Sequence, residues 1–151
     1  MLTESVAIVT YLGDHYGADS GLVPACGDRR RARYNEWMSF VQMELDAHTL
    51  YVMRKHRDLA DLYGAAPAAI ETAIDGFNKQ VHAAELTLAE QGYLLGDEFS
   101  AADLVLMTCL DWASVYGFTL APVLESYRAK IAERAAYQAA MKLNFSISAG
   151  A

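Results

Sequence analysis

Apolar residues recur along the chain at spacings of three and four. No stretch of useful length alternates with the period of two that a strand requires, so the pattern predicts helix after helix. The first helix is predicted from Leu2 or Thr3 to Tyr16, with Thr3 as its N-cap and Glu4 in the first turn, where the helix dipole favours a negative charge. Val6, Val9 and Leu12, with Ala7, Ile8 and Tyr11, leave almost no polar face before Asp14, the mark of a helix covered on more than one side. Gly17 supplies a stop. Residues 18–27, with two Gly and one Pro, make the only break in composition and are predicted to be a linker.

A long helix is predicted from Asp28 to Asp58. One stripe on it is Tyr34, Trp37, Val41, Leu45, His48 and Val52, and a second apolar set is Met38, Phe40, Met43, Leu50, Tyr51 and Met53. Two apolar faces call for packing on two sides. The next helix, Pro67 to Gln91, buries Ile70, Ile74, Phe77, Val81, Ala84 and Leu88, wets Glu71, Asp75, Lys79 and Glu85, and carries Gly76 where another helix comes close. Ser100 and Asp103 then form a capping box with Asp in place of Glu, and Phe99 and Leu104 form its hydrophobic staple. That helix runs to Tyr116. A helix or helix pair covers Ala121 to Lys142 with Val123, Leu124, Tyr127, Ile131, Tyr137 and Met141 inward, and Asn144 to Ala151 fray. The expected fold is an all-α bundle of five or six helices.

Composition agrees with that reading: Ala occurs 26 times and Leu 17 times against 3 Pro in 151 residues. A formal net charge of -7 argues against a nucleic-acid partner and against attachment to an anionic membrane. The first segment has no positive n-region and the longest uncharged internal stretch is too short to span a bilayer, which makes the cytoplasm the expected location. Two cysteines make no disulfide framework: Cys109 reads as a small buried apolar residue and Cys26 as a loop residue. Glu44 and His48 stand one turn apart, but no third ligand converges on them, so no metal site is expected. Arg29, Arg30, Arg31 and Arg33 read as a solvated or salt-bridged face.

Two segments, Thr3-Glu4-Ser5-Val6-Ala7-Ile8 through Tyr11-Leu12 and Tyr93-Leu-Leu-Gly-Asp-Glu-Phe-Ser-Ala-Ala-Asp-Leu, resemble landmarks of bacterial-type glutathione S-transferases. The first is similar to the last helix of that family's thioredoxin-like half. The second is similar to the capping-box segment of its helical C-terminal half, and the helix with Trp37, Phe40, Glu44 and Leu45 is similar to the first helix of that half. The resemblance implies residues 1–17 as a remnant helix of the thioredoxin-like domain, 18–27 as linker, 28–143 as helical domain and 144–151 as tail.

It also implies glutathione as co-substrate, a small-molecule electrophile and a homodimer. Glu4 and Ser5 match the pair that holds the γ-glutamyl end of glutathione, and Glu44 an acid that reaches the partner subunit's glutathione. Met43, Asp46, Trp112 and Tyr116 fall at the electrophile pocket, Asp46 where many members have His. The Tyr, Ser or Cys that activates the thiol belongs to a β-α-β unit that these residues do not include. No catalytic residue is therefore assigned, and the expectation is an N-terminally truncated family member, weakly active or inactive. The alternative is a non-catalytic helical module for dimerisation or partner docking, suggested by the unsatisfied apolar faces at Val6 to Leu12 and Met38 to Met53.

Overall fold

The computed structural model describes residues 1–17 and 20–146. Linker residues Ala18 and Asp19 and the tail from residue 147 onward lie outside the described residues. The regular elements among the described residues are all helices, with no strand and one isolated bridge between Tyr93 and Gly96.

Helix α1 (Ser5–Tyr16) is capped by Glu4 rather than by Thr3, because the chain turns sharply at Glu4 before entering the helix. It is held to the following helix by polar clamps and to the linker by one close approach. Thr10 Oγ1 and the Tyr34 hydroxyl are 2.9 Å apart, and Arg31 donates to both oxygens of Asp14 at 2.7 and 2.9 Å. A Cβ at Gly13 would stand 2.2 Å from Val23 Cγ2, so only glycine allows this approach.

Helix α2 (Arg29–Phe40) starts at Asp28, whose side chain accepts the Arg30 N–H. The helical run continues without a break, but its ladder widens to i→i+5 bonding over Val41–Leu50. It returns to α geometry in α3 (Tyr51–Met53) and widens again over Arg54–Asp58. This corrects the predicted stripe. Tyr34, Trp37, Val41 and Leu45 are buried as expected. The wider turns then bring Thr49 inward beside Leu50 and Met53 of the second predicted set, leaving His48 exposed and Val52 only half-buried.

A short turn, α4 (Ala60–Tyr63), precedes α5 (Pro67–Glu90), which begins with its proline in the first turn and packs along the widened segment. There Gly76 faces Thr49, 3.3 Å from where a Cβ would be. Helix α6 (Ala101–Val115) opens with the predicted capping box. Asp103 is fully buried and accepts from the Leu94 N–H (2.8 Å), the Ser100 N–H (2.8 Å), Ser100 Oγ (2.7 Å) and the Tyr127 hydroxyl (2.8 Å). Of the predicted staple, Phe99 sets its ring edge-on to Tyr93 and under Arg134, and Leu104 is 43% exposed.

The last stretch is a pair, α7 (Pro122–Ala132) and α8 (Ala135–Ser146), so helix includes Asn144–Ser146, which the pattern assigned to the tail. Asp111 joins α6 to both, accepting from Arg128 at 3.0 Å and from the Tyr137 hydroxyl at 2.7 Å. The core lies between the long helical run, α5, α6 and α7, around Tyr34, Leu45, Phe77, Leu106, Leu110 and Leu124.

Candidate functional site

The most unusual backbone in the chain is at the start of α1. Glu4 has φ 70° and ψ 119°, and among the described residues it is the only non-glycine with positive φ. Such a conformation costs about 1–3 kcal/mol and collects at sites where function requires it. The Glu4 carbonyl accepts the Ile8 N–H at 2.9 Å, but its side chain makes no capping bond. The first N–H groups of α1, beginning at exposed Ser5, therefore stand without a side-chain cap at the positive end of the helix dipole. Glu4 opens onto a cleft of about 540 Å³ between α1 and the long helix, with Thr10, Tyr11 and Asp14 on one wall and Gln42 on the other.

From Gln42 a polar and aromatic path leads away along the long helix. Gln42 Nε2 donates to Asp46 at 3.4 Å, and burial lifts the Asp46 carboxyl above the usual aspartate range. Burial first, and then the Asp46 carboxylate, push the Cys109 thiol above the ordinary cysteine range. One turn further on α6, Trp112 and Tyr116 pack with ring centroids 5.8 Å apart, beneath Arg54 and Arg57. The Tyr116 hydroxyl donates to Asp58 at 2.5 Å. Burial first, then the Asp58 carboxylate, push its pKa up to about 12.

The predicted site residues thus fall into two sets. Glu4 reaches the α1 cleft, and Asp46, Trp112 and Tyr116 follow along the face that the long helix turns to α6. Glu44 faces elsewhere, accepting from Gln80 of α5 at 3.2 Å, and Met43 is 46% exposed. Sequence reasoning missed Gln42 and Arg57. Gln42 is one turn before Asp46, which was a usable signal, and Arg57 closes the run Arg54-Lys55-His56-Arg57.

Three of the four arginines at the start of α2 are neutralised by carboxylates: Arg30 pairs with Asp28 and Glu98, Arg31 with Asp14, and Arg33 with Glu36. Among the described residues no group of three or more His, Cys, Asp or Glu side chains is placed to hold a metal ion, and no helix is long and apolar enough to cross a membrane.

Comparison with known proteins places this geometry in context. Residues 40–135 match the family model described as the glutathione S-transferase, C-terminal domain. A glutathione transferase of Methylococcus capsulatus is 30% identical with a TM-score of 0.79, and the match covers 94% of this chain and 67% of that one. A sphingomonad glutathione S-transferase solved with glutathione is 31% identical with a TM-score of 0.77, over 94% and 67% of the two chains. The transferase URE2P6 of Phanerochaete chrysosporium, solved with oxidised glutathione, shares the fold at 19% identity, a TM-score of 0.85 and coverage of 97% and 68%. The chain spans about two-thirds of the length of each.

Proposed function

The chain belongs to the glutathione S-transferase family, and we propose that it carries the helical half of an enzyme that joins glutathione to a small electrophile. In that reaction the thiolate sulfur bonds to the electrophilic carbon and the leaving group departs with its electron pair. The strained backbone of Glu4, directly before the uncapped start of α1, is the observation that carries the reading. Its carboxylate receives the γ-glutamyl ammonium, while the Ser5 hydroxyl and the free N–H groups of α1 receive the neighbouring carboxylate. Asp46, Trp112 and Tyr116, with Met43 at the rim, border the electrophile. Glu44, turned away from the α1 cleft, serves the glutathione of a second copy in a homodimer. The thiol-activating group lies outside the residues assigned here, so this stretch alone acts weakly or not at all as a transferase, and it works in the cytoplasm.

Calorimetric titration with glutathione tests the reading. Saturable heat in the millimolar range or tighter is expected, lost in Glu4→Ala and Ser5→Ala and kept in Arg30→Gln. A featureless titration of the unaltered chain defeats it.

A further inference from the structure

The long helix ends on an acid, Asp58, at the end where the helix dipole disfavours one. Two contacts compensate it. Oδ2 accepts the Tyr116 hydroxyl at 2.5 Å, and Oδ1 stands 3.7 Å from Arg57 Nε. Arg57 also lies over the Tyr116 ring, 4.9 Å from its centroid, so one guanidinium steadies both partners of that hydrogen bond.

A phenol has one proton to give and two lone pairs to offer, and a carboxylate only accepts. The Tyr116 proton is therefore committed to Asp58. The Trp112 indole, whose N–H only donates, acts on the same phenol in the opposite sense, its ring 5.8 Å away. Hydrogen bonding thus has one direction here, from Trp112 through Tyr116 to Asp58. Tyr116 is half-buried and borders a cleft of about 450 Å³ together with Ile70, Ile74 and Phe118. To a molecule in that cleft the phenol offers a lone pair and no proton.

We propose that Asp58 is a positioning residue of the electrophile pocket: by holding the Tyr116 proton it makes the phenol an acceptor only, and the pocket selects electrophiles that carry an O–H or N–H donor beside an apolar body. The assignment rests on the reading of Tyr116 as a border of the electrophile and adds the class of electrophile admitted. Asp58 acts through Tyr116 and not on the reacting carbon. An electrophile whose polar group only accepts, such as a ketone or a nitro group, sets lone pair against lone pair and leaves the phenol oxygen unmatched.

Two probes of one ring system test this, 2-naphthol with a donor proton and 2-acetylnaphthalene with an acceptor only. Both are titrated calorimetrically into the 151-residue chain without glutathione. In the unaltered chain 2-naphthol should bind about fivefold tighter, the factor that one neutral hydrogen bond supplies. Asp58→Ala frees the Tyr116 proton, so 2-acetylnaphthalene should gain about fivefold while 2-naphthol, which can donate or accept, is unaltered. Asp58→Glu restores the gap. Tyr116→Phe removes the advantage of 2-naphthol, and adding Asp58→Ala to it changes neither probe. A merely structural Asp58 would instead weaken both probes when replaced by alanine. That result, equal affinities in the unaltered chain, a preference that survives Tyr116→Phe, or no saturable binding of either probe overturns the proposal. None of these outcomes bears on Glu4 and Ser5, which the glutathione titration tests separately. Circular dichroism reports the folding of each variant, and should Asp58→Ala unfold, the Tyr116→Phe comparison decides.

Discussion

Helices α1 and α6 are both built mostly from apolar residues, yet nine of the fifteen residues of α6 are buried and none of the twelve of α1. Helix α6 is enclosed by elements of its own chain and anchored by a carboxylate whose four bonds all come from within the fold. Helix α1 lies against the bundle along one side only, with Val6 and Val9 half-buried, while Ile8, Tyr11, Leu12 and Tyr16 face outward. Hydrophobicity therefore says that a helix is to be covered, and not by what.

The sharpest test of this contrast is Asp103→Ala, which removes the carboxylate that accepts four hydrogen bonds in the core. A loss of about 3–5 kcal/mol in urea denaturation is expected, on the scale of breaking a buried charged network. A loss under about 1 kcal/mol would mean that the capping box does not organise α6.

Gly13→Ala comes next. Its methyl collides with Val23, and overpacking of this kind costs about 1–3 kcal/mol. Adding Val23→Ala should recover part of that stability, which a thermal melt of the double variant measures.

Ile8→Ser and Leu12→Ser should change the stability of the chain by no more than about 0.5 kcal/mol, because these side chains are open to solvent. A larger, concentration-dependent loss in sedimentation and melting would show that copies of the chain cover this face themselves.

The smallest effects are in pH and have opposite signs at the two helices. Asp46, which faces α6, has its carboxyl raised by burial, so the native state holds its proton more tightly than the unfolded chain. Stability falls as pH climbs through the usual aspartate range and just above. Asp46→Asn should then stabilise the chain at neutral pH and lose that advantage in acid. Asp14 on α1 is held low by its hydrogen bonds from Arg31, so its contribution is present above the usual aspartate range and disappears as pH falls below it. Since Asp14 is exposed, Asp14→Asn should flatten only the acid limb of a melting-temperature profile, and slightly.

Much of the fold was legible because the signals are local. The capping box, the proline starts of α5 and α7, and the close approach at Gly76 each depend on a few neighbouring residues and on rules of helix geometry. The inward turn of Thr49 and the outward turn of His48 were not legible, because a period of 3.6 cannot announce a ladder that widens in the middle of a helix. Nor was the shift of the α1 cap from Thr3 to Glu4, which depends on an uncommon backbone rotation. At the candidate site, Glu4 and Tyr116 were assigned by resemblance. The place of Arg57 over the Tyr116 ring was not legible, because residues 57 and 116 meet only in three dimensions.

The widened ladder over Val41–Leu50 also sets the phase between the two ends of the long helix. Gln42 and Asp46 near its entry, and Arg57 and Asp58 at its exit, are oriented by how many residues each turn consumes. Removing a single residue while the turns kept their width would swing everything downstream by nearly the angle one residue subtends in an ordinary helix, about 100°. Arg57 would leave the Tyr116 ring and Asp58 its hydroxyl, while the first half of the molecule stayed in place. The segment thus acts as a spacer measured in fractions of a turn.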